Sequence, residues 1–392
     1  MKDTLITLAI CIFLTTNPVY AGTYLDSAHG NTSYGVSRTS TSSVYTKGHC
    51  AHCHEQHASI EGVEPDPTGG PDKWLVFTTL YTDQDTGLCL SCHAGSSSQV
   101  GMPNQYTFSY KFGGDTSLTC PSSIAQAFSF ITEGGVPQST CGSTTGSSHQ
   151  LTAVRTFLKS KWGFGATNPK VNPCSGCHNP HRAQRHSYPS GSAGTSPLSR
   201  PTTHDGDWNV YGAATNERMS NYVYQAPYSS GSATTYEPDG TVTLDGSNMP
   251  DYVTFCTDCH NASYSTGQMT SSQKSQFATV GAQPYIRSPN WTTSPHGQAD
   301  ASMDATKRKA PYTADKNYVL SCTDCHEAHG SPNRMLIRKE INGSSVVTFD
   351  TWNDRDGWFT VCQRCHTIDS GHKGSNPCYV CHQHDTSWFK PI

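Results

Sequence analysis

Apolar positions fall in short, scattered runs, and Gly, Ser, Thr and Pro fill much of the chain between them. One run stands apart. Leu5 to Leu14 is mostly apolar, follows Lys2 and precedes Val19-Tyr20-Ala21. A positive start, an apolar stretch and a small-x-small site read as an export signal over 1–21, with the mature chain beginning near Gly22. The run is shorter than the ~20 residues a spanning helix needs, and no later segment is apolar enough to cross a bilayer. Cys11 lies inside this signal, and bulky Ile10 before it argues against lipid attachment. Elsewhere the pattern predicts helical turns over Leu151 to Lys161 and Asp304 to Lys309. Glu237-Pro238-Asp239-Gly240 reads as a turn between short strands, and Asn342-Gly343 as a hairpin turn between Leu336-Ile337 and Val346-Val347. Ser190 to Pro197 and Ser229 to Thr235 read as connectors. The expected fold is mostly irregular and loop-rich, with short helices and few short hairpins.

Composition sharpens this picture. Only 34% of the 392 residues are hydrophobic and 14% are charged, which is poor material for a self-built core. Either the chain is largely disordered, or something other than side chains fills its interior. The formal charge of −4 offers no basic surface for nucleic acid.

The cysteines decide between these. Of 17, fourteen fall into seven copies of Cys-x-x-Cys-His. The pairs are Cys50 and Cys53, Cys89 and Cys92, Cys174 and Cys177, Cys256 and Cys259, Cys322 and Cys325, Cys362 and Cys365, and Cys378 and Cys381. The histidines that follow are His54, His93, His178, His260, His326, His366 and His382. Composition alone predicts roughly 0.04 copies of this c-type haem attachment motif. The spacing has a chemical reason. Each thiol forms a thioether to one haem vinyl group, and the next histidine becomes the proximal iron ligand. Zinc ribbons do not require His after every pair, thioredoxin-like motifs need a βαβ context, and disulfide scaffolds repeat no local pattern. Seven covalently bound haem c groups are therefore expected. They would form a chain of large apolar plates, and the 39 aromatic residues can pack on them. Folding should then depend on haem attachment. Cys120 and Cys141 stand outside the motifs and read as a disulfide, worth about 3 kcal/mol in the chain-entropy account.

Each iron has a second axial position. Twelve of the 19 histidines are not proximal, and methionines are few, so bis-histidine ligation is the simpler expectation. His57, His181 and His329 each lie three residues beyond a proximal histidine. That position cannot reach the opposite face of the same haem but can reach a neighbouring one. His29, His149, His296 and His372 sit in Gly/Ser/Pro-rich loops able to place an imidazole over a haem face. These seven form the expected distal set. His49 and His52 are cramped by the first motif, His384 follows His382 too closely, and His186 and His204 are reserves.

The motifs start 39, 85, 82, 66, 40 and 16 residues apart. The last two haems must therefore be neighbours in any fold. We divide the chain into an N-terminal three-haem region (22–190), a Gly/Ser/Thr-rich connecting region (191–250) and a C-terminal four-haem region (251–392).

Asp26-Ser27-Ala28-His29-Gly30, with CAHCHEQH at Cys50 to His57, CSGCHNPH at Cys174 to His181 and CTDCHEAH at Cys322 to His329, resembles the extracellular multihaem cytochromes of metal-reducing bacteria, some of which polymerise into cytochrome nanowires. The likeness is strongest over 22–265, where four motifs match a four-haem filament member; the last three depart from that pattern. The resemblance implies self-polymerisation, with His57 ligating a haem of the next subunit. It also implies an extracellular or outer-surface place, with electron donor and acceptor proteins or metal oxides as partners. Two other functions stay open. One is a soluble periplasmic electron carrier. The other is a multihaem oxidoreductase, which needs one open iron, although no Cys-x-x-Cys-Lys variant is present. An electron-transfer protein fits the residues better than a substrate-converting enzyme.

Overall fold

Wherever a Cys-x-x-Cys-His motif is described in full, it forms one tight turn of helix. The computed structural model describes residues 24–38, 44–54, 89, 149, 151–162, 172–182, 211–212, 214–229, 232–237, 244–247, 249–260, 291, 294, 296–297, 305–331, 333–347 and 354–367. Five motifs fall wholly within these. In each, the histidine N–H donates to the carbonyl of the first cysteine: His54 to Cys50, His178 to Cys174, His260 to Cys256, His326 to Cys322 and His366 to Cys362, at 2.9–3.0 Å. This bond sets the two cysteines one turn apart on the same face, with the histidine just beyond.

Polar residues before the motifs start these turns. Asn172 accepts from Cys174 N–H at 2.9 Å, Asp251 from Thr254 N–H at 3.0 Å and Asp354 from Gly357 N–H at 2.8 Å. Ser321 forms a capping box with Asp324. Such caps satisfy N–H groups that a short helix cannot. Four α-helices result among the described residues: α1 (Leu151–Lys161), α2 (Tyr252–Thr257), α3 (Cys322–Cys325) and α4 (Arg355–Cys362). Only α1 lies outside a motif, and it spans the residues expected from sequence. The turn expected over Asp304 to Lys309 is a single 3-10 turn, Ala305–Lys307.

The expected hairpin turn forms, with shorter strands than anticipated. β1 (Glu340–Ile341) and β2 (Ser344–Ser345) pair antiparallel directly beside the turn. Asn342 (φ 49°) and Gly343 (φ 69°) both adopt the left-handed region, as a two-residue type I′ turn requires. Leu336 and Ile337 do not form the first strand. Ile337 instead bridges His326, and Met335 and Leu336 are themselves left-handed, with φ of 58° and 59°. The Asn342 side chain then joins three segments. Its Oδ1 accepts from Tyr228 N–H at 3.0 Å, and its Nδ2 donates to the carbonyls of Ala310 and Arg364 at 2.9 Å each.

Among the described residues three small apolar clusters form, and each touches a motif cysteine. Leu158 and Trp162 pack with Val154, Phe157 and Cys259. Met219, Tyr224, Ala226, Met249, Val253 and Trp291 pack with Cys322 at their edge. Ile337, Ile341 and Val346 pack with Cys325 and Cys365. The second cluster changes the reading of 191–250. That region connects by composition, yet its described residues hold buried Tyr211, Met219, Tyr224, Ala226 and Met249. Its Gly, Ser and Thr content hides a regular supply of tyrosine and methionine. Ser229 to Thr235, expected as a loose connector, is closed by Ser229 N–H donating to the Thr235 carbonyl at 2.8 Å. Glu237 forms a bidentate ion pair with Arg338, which is wholly buried. The turn at 238–240, the signal over 1–21 and the connector at 190–197 lie outside the described residues. Among those described, no helix is long and apolar enough to cross a membrane.

Candidate haem-ligand site

Four proximal histidines face another histidine ring, each at nearly one separation. Centroids lie 6.0 Å apart for His54 and His181, 6.3 Å for His178 and His329, 5.8 Å for His260 and His149, and 6.1 Å for His366 and His296. Two imidazoles on one metal, with bonds of about 2.0 Å and ring centres about 1.1 Å behind, would lie roughly 6.2 Å apart. All four separations lie within about 0.4 Å of that value. Among the described residues no three His, Cys, Asp or Glu side chains converge as a bare-ion site. A motif cysteine pair stands beside each of these proximal histidines, so the residues fit haem, whose macrocycle supplies the iron's other ligands.

Ring planes separate the pairs into two kinds. The two made by histidines three residues past a motif are nearly parallel, at 8° for His54 with His181 and 14° for His178 with His329. The two made by loop histidines are tilted, at 53° for His260 with His149 and 45° for His366 with His296.

Hydrogen bonds at Nδ1 fix which nitrogen points inward. His149 Nδ1 lies 3.0 Å from the Ala328 carbonyl, His29 Nδ1 3.0 Å from the Pro180 carbonyl and His326 Nδ1 2.8 Å from the Met335 carbonyl. A carbonyl only accepts, so each Nδ1 carries the proton and Nε2 keeps its lone pair. His329 Nδ1 is instead 3.2 Å from the buried Glu327 carboxylate. Burial holds His149, His181 and His326 below the usual imidazole range, which favours the neutral, ligating form. For His181 the neighbouring charges of His54 and His29 add to this.

Three features here were not singled out from sequence. The first is the residue after the proximal histidine. Asn179 Oδ1 accepts from His181 N–H at 3.0 Å, and Glu327 Oε1 accepts from His329 N–H at 3.1 Å. An acceptor two residues before the histidine pins its backbone, and the N-P-H and E-A-H strings carry that signal. The second is the left-handed backbone at Met335 and Leu336. It presents the Met335 carbonyl to His326 and the Leu336 carbonyl to Glu327 N–H at 2.8 Å. The third is the buried Arg338–Glu237 pair.

His52 is buried with both ring nitrogens engaged by backbone: Nδ1 accepts from Arg38 N–H at 3.2 Å, and Nε2 faces the Thr46 carbonyl at 2.9 Å. His49 caps the first motif, accepting from Ala51 N–H at 3.1 Å. Both thus serve the loop around the first haem motif. Of the expected site residues, Cys92, His93, Cys378, Cys381, His382, His57, His372, Cys120 and Cys141 lie outside the described residues, as do the reserves His186 and His204 and the set-aside His384.

Comparison with known families gives one match. A family model described as the doubled CXXCH motif covers residues 310–344, a segment that contains Cys322 to His326 and the hairpin. No curated protein and no solved structure matches the chain.

Proposed function

We infer that the chain is a multihaem c-type cytochrome with covalently bound haem c and a role in electron transfer, on the strength of its doubled CXXCH match. We propose that it is an exported seven-haem electron conduit that delivers electrons to extracellular acceptors such as metal oxides, and that its copies join into filaments. The reading rests above all on the four opposed imidazole pairs. A bound haem c supplies an iron that changes oxidation state by one electron. The chain's part is to hold two neutral imidazoles against each iron, which leaves no place there for a substrate. The thioether cysteines anchor the groups, and the histidines three residues past a motif tie one anchor to another. His181 lies opposite His54 and His329 opposite His178, so successive sites are linked by peptide of only a few residues.

His57 occupies the same position after the first motif. In the filament reading it ligates a haem of a neighbouring copy. Electron microscopy of material sheared from the cell exterior tests this. Uniform thin filaments that dissociate in a His57→Ala variant are expected. Haem protein confined to the periplasm, monomeric and wholly low-spin, would overturn the extracellular filament and leave a soluble carrier.

A further inference from the structure

Contacts between successive parts of the chain recur with one register. A first part holds His29, the Cys50 motif and the Cys89 motif. A second holds His149, the Cys174 motif and the Cys256 motif. A third holds His296, the Cys322 motif and the Cys362 motif. Each has a loop histidine, then a motif with a histidine three residues beyond, then a motif without one.

The first part meets the second as the second meets the third. His181 of the second faces His54 of the first, and His329 of the third faces His178 of the second. His29 Nδ1 donates to Pro180, the residue before His181, and His149 Nδ1 donates to Ala328, the residue before His329, both at 3.0 Å. The Cys89 and Cys174 side chains lie within reach of each other, and so do those of Cys256 and Cys322. Within the second part His149 faces His260, and within the third His296 faces His366. The loop histidine therefore serves the later motif of its own part.

The first and third loop histidines also share a local fold. In Tyr24-Leu25-Asp26-Ser27-Ala28-His29-Gly30 and Trp291-Thr292-Thr293-Ser294-Pro295-His296-Gly297, the serine N–H donates to the aromatic residue's carbonyl, at 3.0 and 3.1 Å. A Cβ on Gly30 or Gly297 would come within 1.9 Å of that same carbonyl oxygen. Only glycine lets the chain close this tightly after the histidine.

We propose that the chain is a threefold array with an offset exchange of ligands, and that His29 is the second axial ligand of the haem anchored at Cys89, as one of the tilted pairs. The assignment rests on the haem reading above. It follows from the register, because His29 meets Pro180 of the second part as His149 meets Ala328 of the third.

The test uses the holoprotein with His29→Ala, alone and combined with Cys89→Ala and Cys92→Ala, which prevent attachment of that haem. Peptide mass spectrometry counts the haems, and electron paramagnetic resonance counts high-spin iron. Parent protein without haem on the Cys89 motif would overturn the haem reading there, separately from the ligand assignment. With the haem present, His29→Ala should convert one low-spin haem to high-spin. The signal lost should be of the strongly anisotropic type given by tilted imidazole planes. In the background lacking the Cys89 haem, the same substitution should add no high-spin iron. A wholly low-spin His29→Ala protein, or high-spin iron that persists in that background, overturns the assignment. If the alanine variant does not accumulate, His29→Met serves. It should give one His/Met haem of raised potential, absent from the background without the Cys89 haem. Spectra unchanged by His29→Met would refute the proposal.

Discussion

The parallel and tilted imidazole pairs are built by different means. In the parallel kind, the distal histidine sits three residues past a helical turn whose geometry is the same each time. An acceptor side chain, Asn179 or Glu327, holds its backbone N–H. Ring orientation is then inherited from the motif, and the two angles, 8° and 14°, nearly agree. In the tilted kind, the histidine comes from a loop with its own local fold. His149 lies two residues before the start of α1, whereas His296 lies in a glycine-closed loop, and the rings settle at 53° and 45°. A ligand placed by a repeated turn is uniform, and one placed by a loop follows that loop.

The largest test of this contrast removes both kinds of pair together. Chain made without haem attachment should lose cooperative unfolding, followed by circular dichroism against temperature, because the three clusters are small and each rests on a motif cysteine. Next in size is Arg338→Ala. Arg338 N–H donates to the Cys325 carbonyl at 2.9 Å and its guanidinium to the Thr323 carbonyl at 3.3 Å, beside the third part's sites. Its loss leaves the half-buried Glu237 without its partner and should cost about 3 kcal/mol in denaturant unfolding. The His54 and His181 pair, far along the chain, should keep its low-spin spectrum.

Leu158→Ala probes where the two kinds of pair meet. Leu158 packs its methyl groups 3.0–3.1 Å from where a Cβ on Gly176 would stand, so α1, which follows loop ligand His149, lies on the turn carrying His178. A loss of about 2–5 kcal/mol is expected from the cavity, measured by thermal unfolding, with all haems still attached. The smallest effect compares the two parallel pairs with each other. Glu327 sets a buried carboxylate against His329 Nδ1 at 3.2 Å, and the equivalent Asn179 is neutral. An anionic partner favours the ferric state. Glu327→Gln should raise one haem potential by roughly 40 mV, the equivalent of about 1 kcal/mol for one electron, in a spectroelectrochemical titration. A titration curve that does not move would remove Glu327 as a tuning group.

Much of the chemistry was legible in the residues. Seven motif copies announce haem, and three-residue spacing implies that His181 and His329 act across to another haem. The sequence does not say which haem, because that depends on how the segments stack. His52 shows a second limit. Its place in the motif marks it only as cramped, and the fold alone shows its role, with backbone engaging both its nitrogens. The hairpin shows a third. Asn342-Gly343 encodes the turn, but apolar Leu336 and Ile337 were the wrong guide to the strand. Those residues are drawn instead to the Cys325 motif, and the strands shrink to the residues beside the turn. The 191–250 region misleads through averages, since its Gly and Ser outnumber the buried tyrosines that do the packing.

The left-handed pair at Met335 and Leu336 costs of order 1–2 kcal/mol per residue and turns a main-chain oxygen onto the His326 ring. An imidazole gripped there would have little freedom to shift when the charge on a bound iron changes, which in the proposed conduit would keep the barrier to each hop low. In a conduit, speed is governed as much by what refuses to move as by what is transferred. Here two awkward backbone angles supply that stillness.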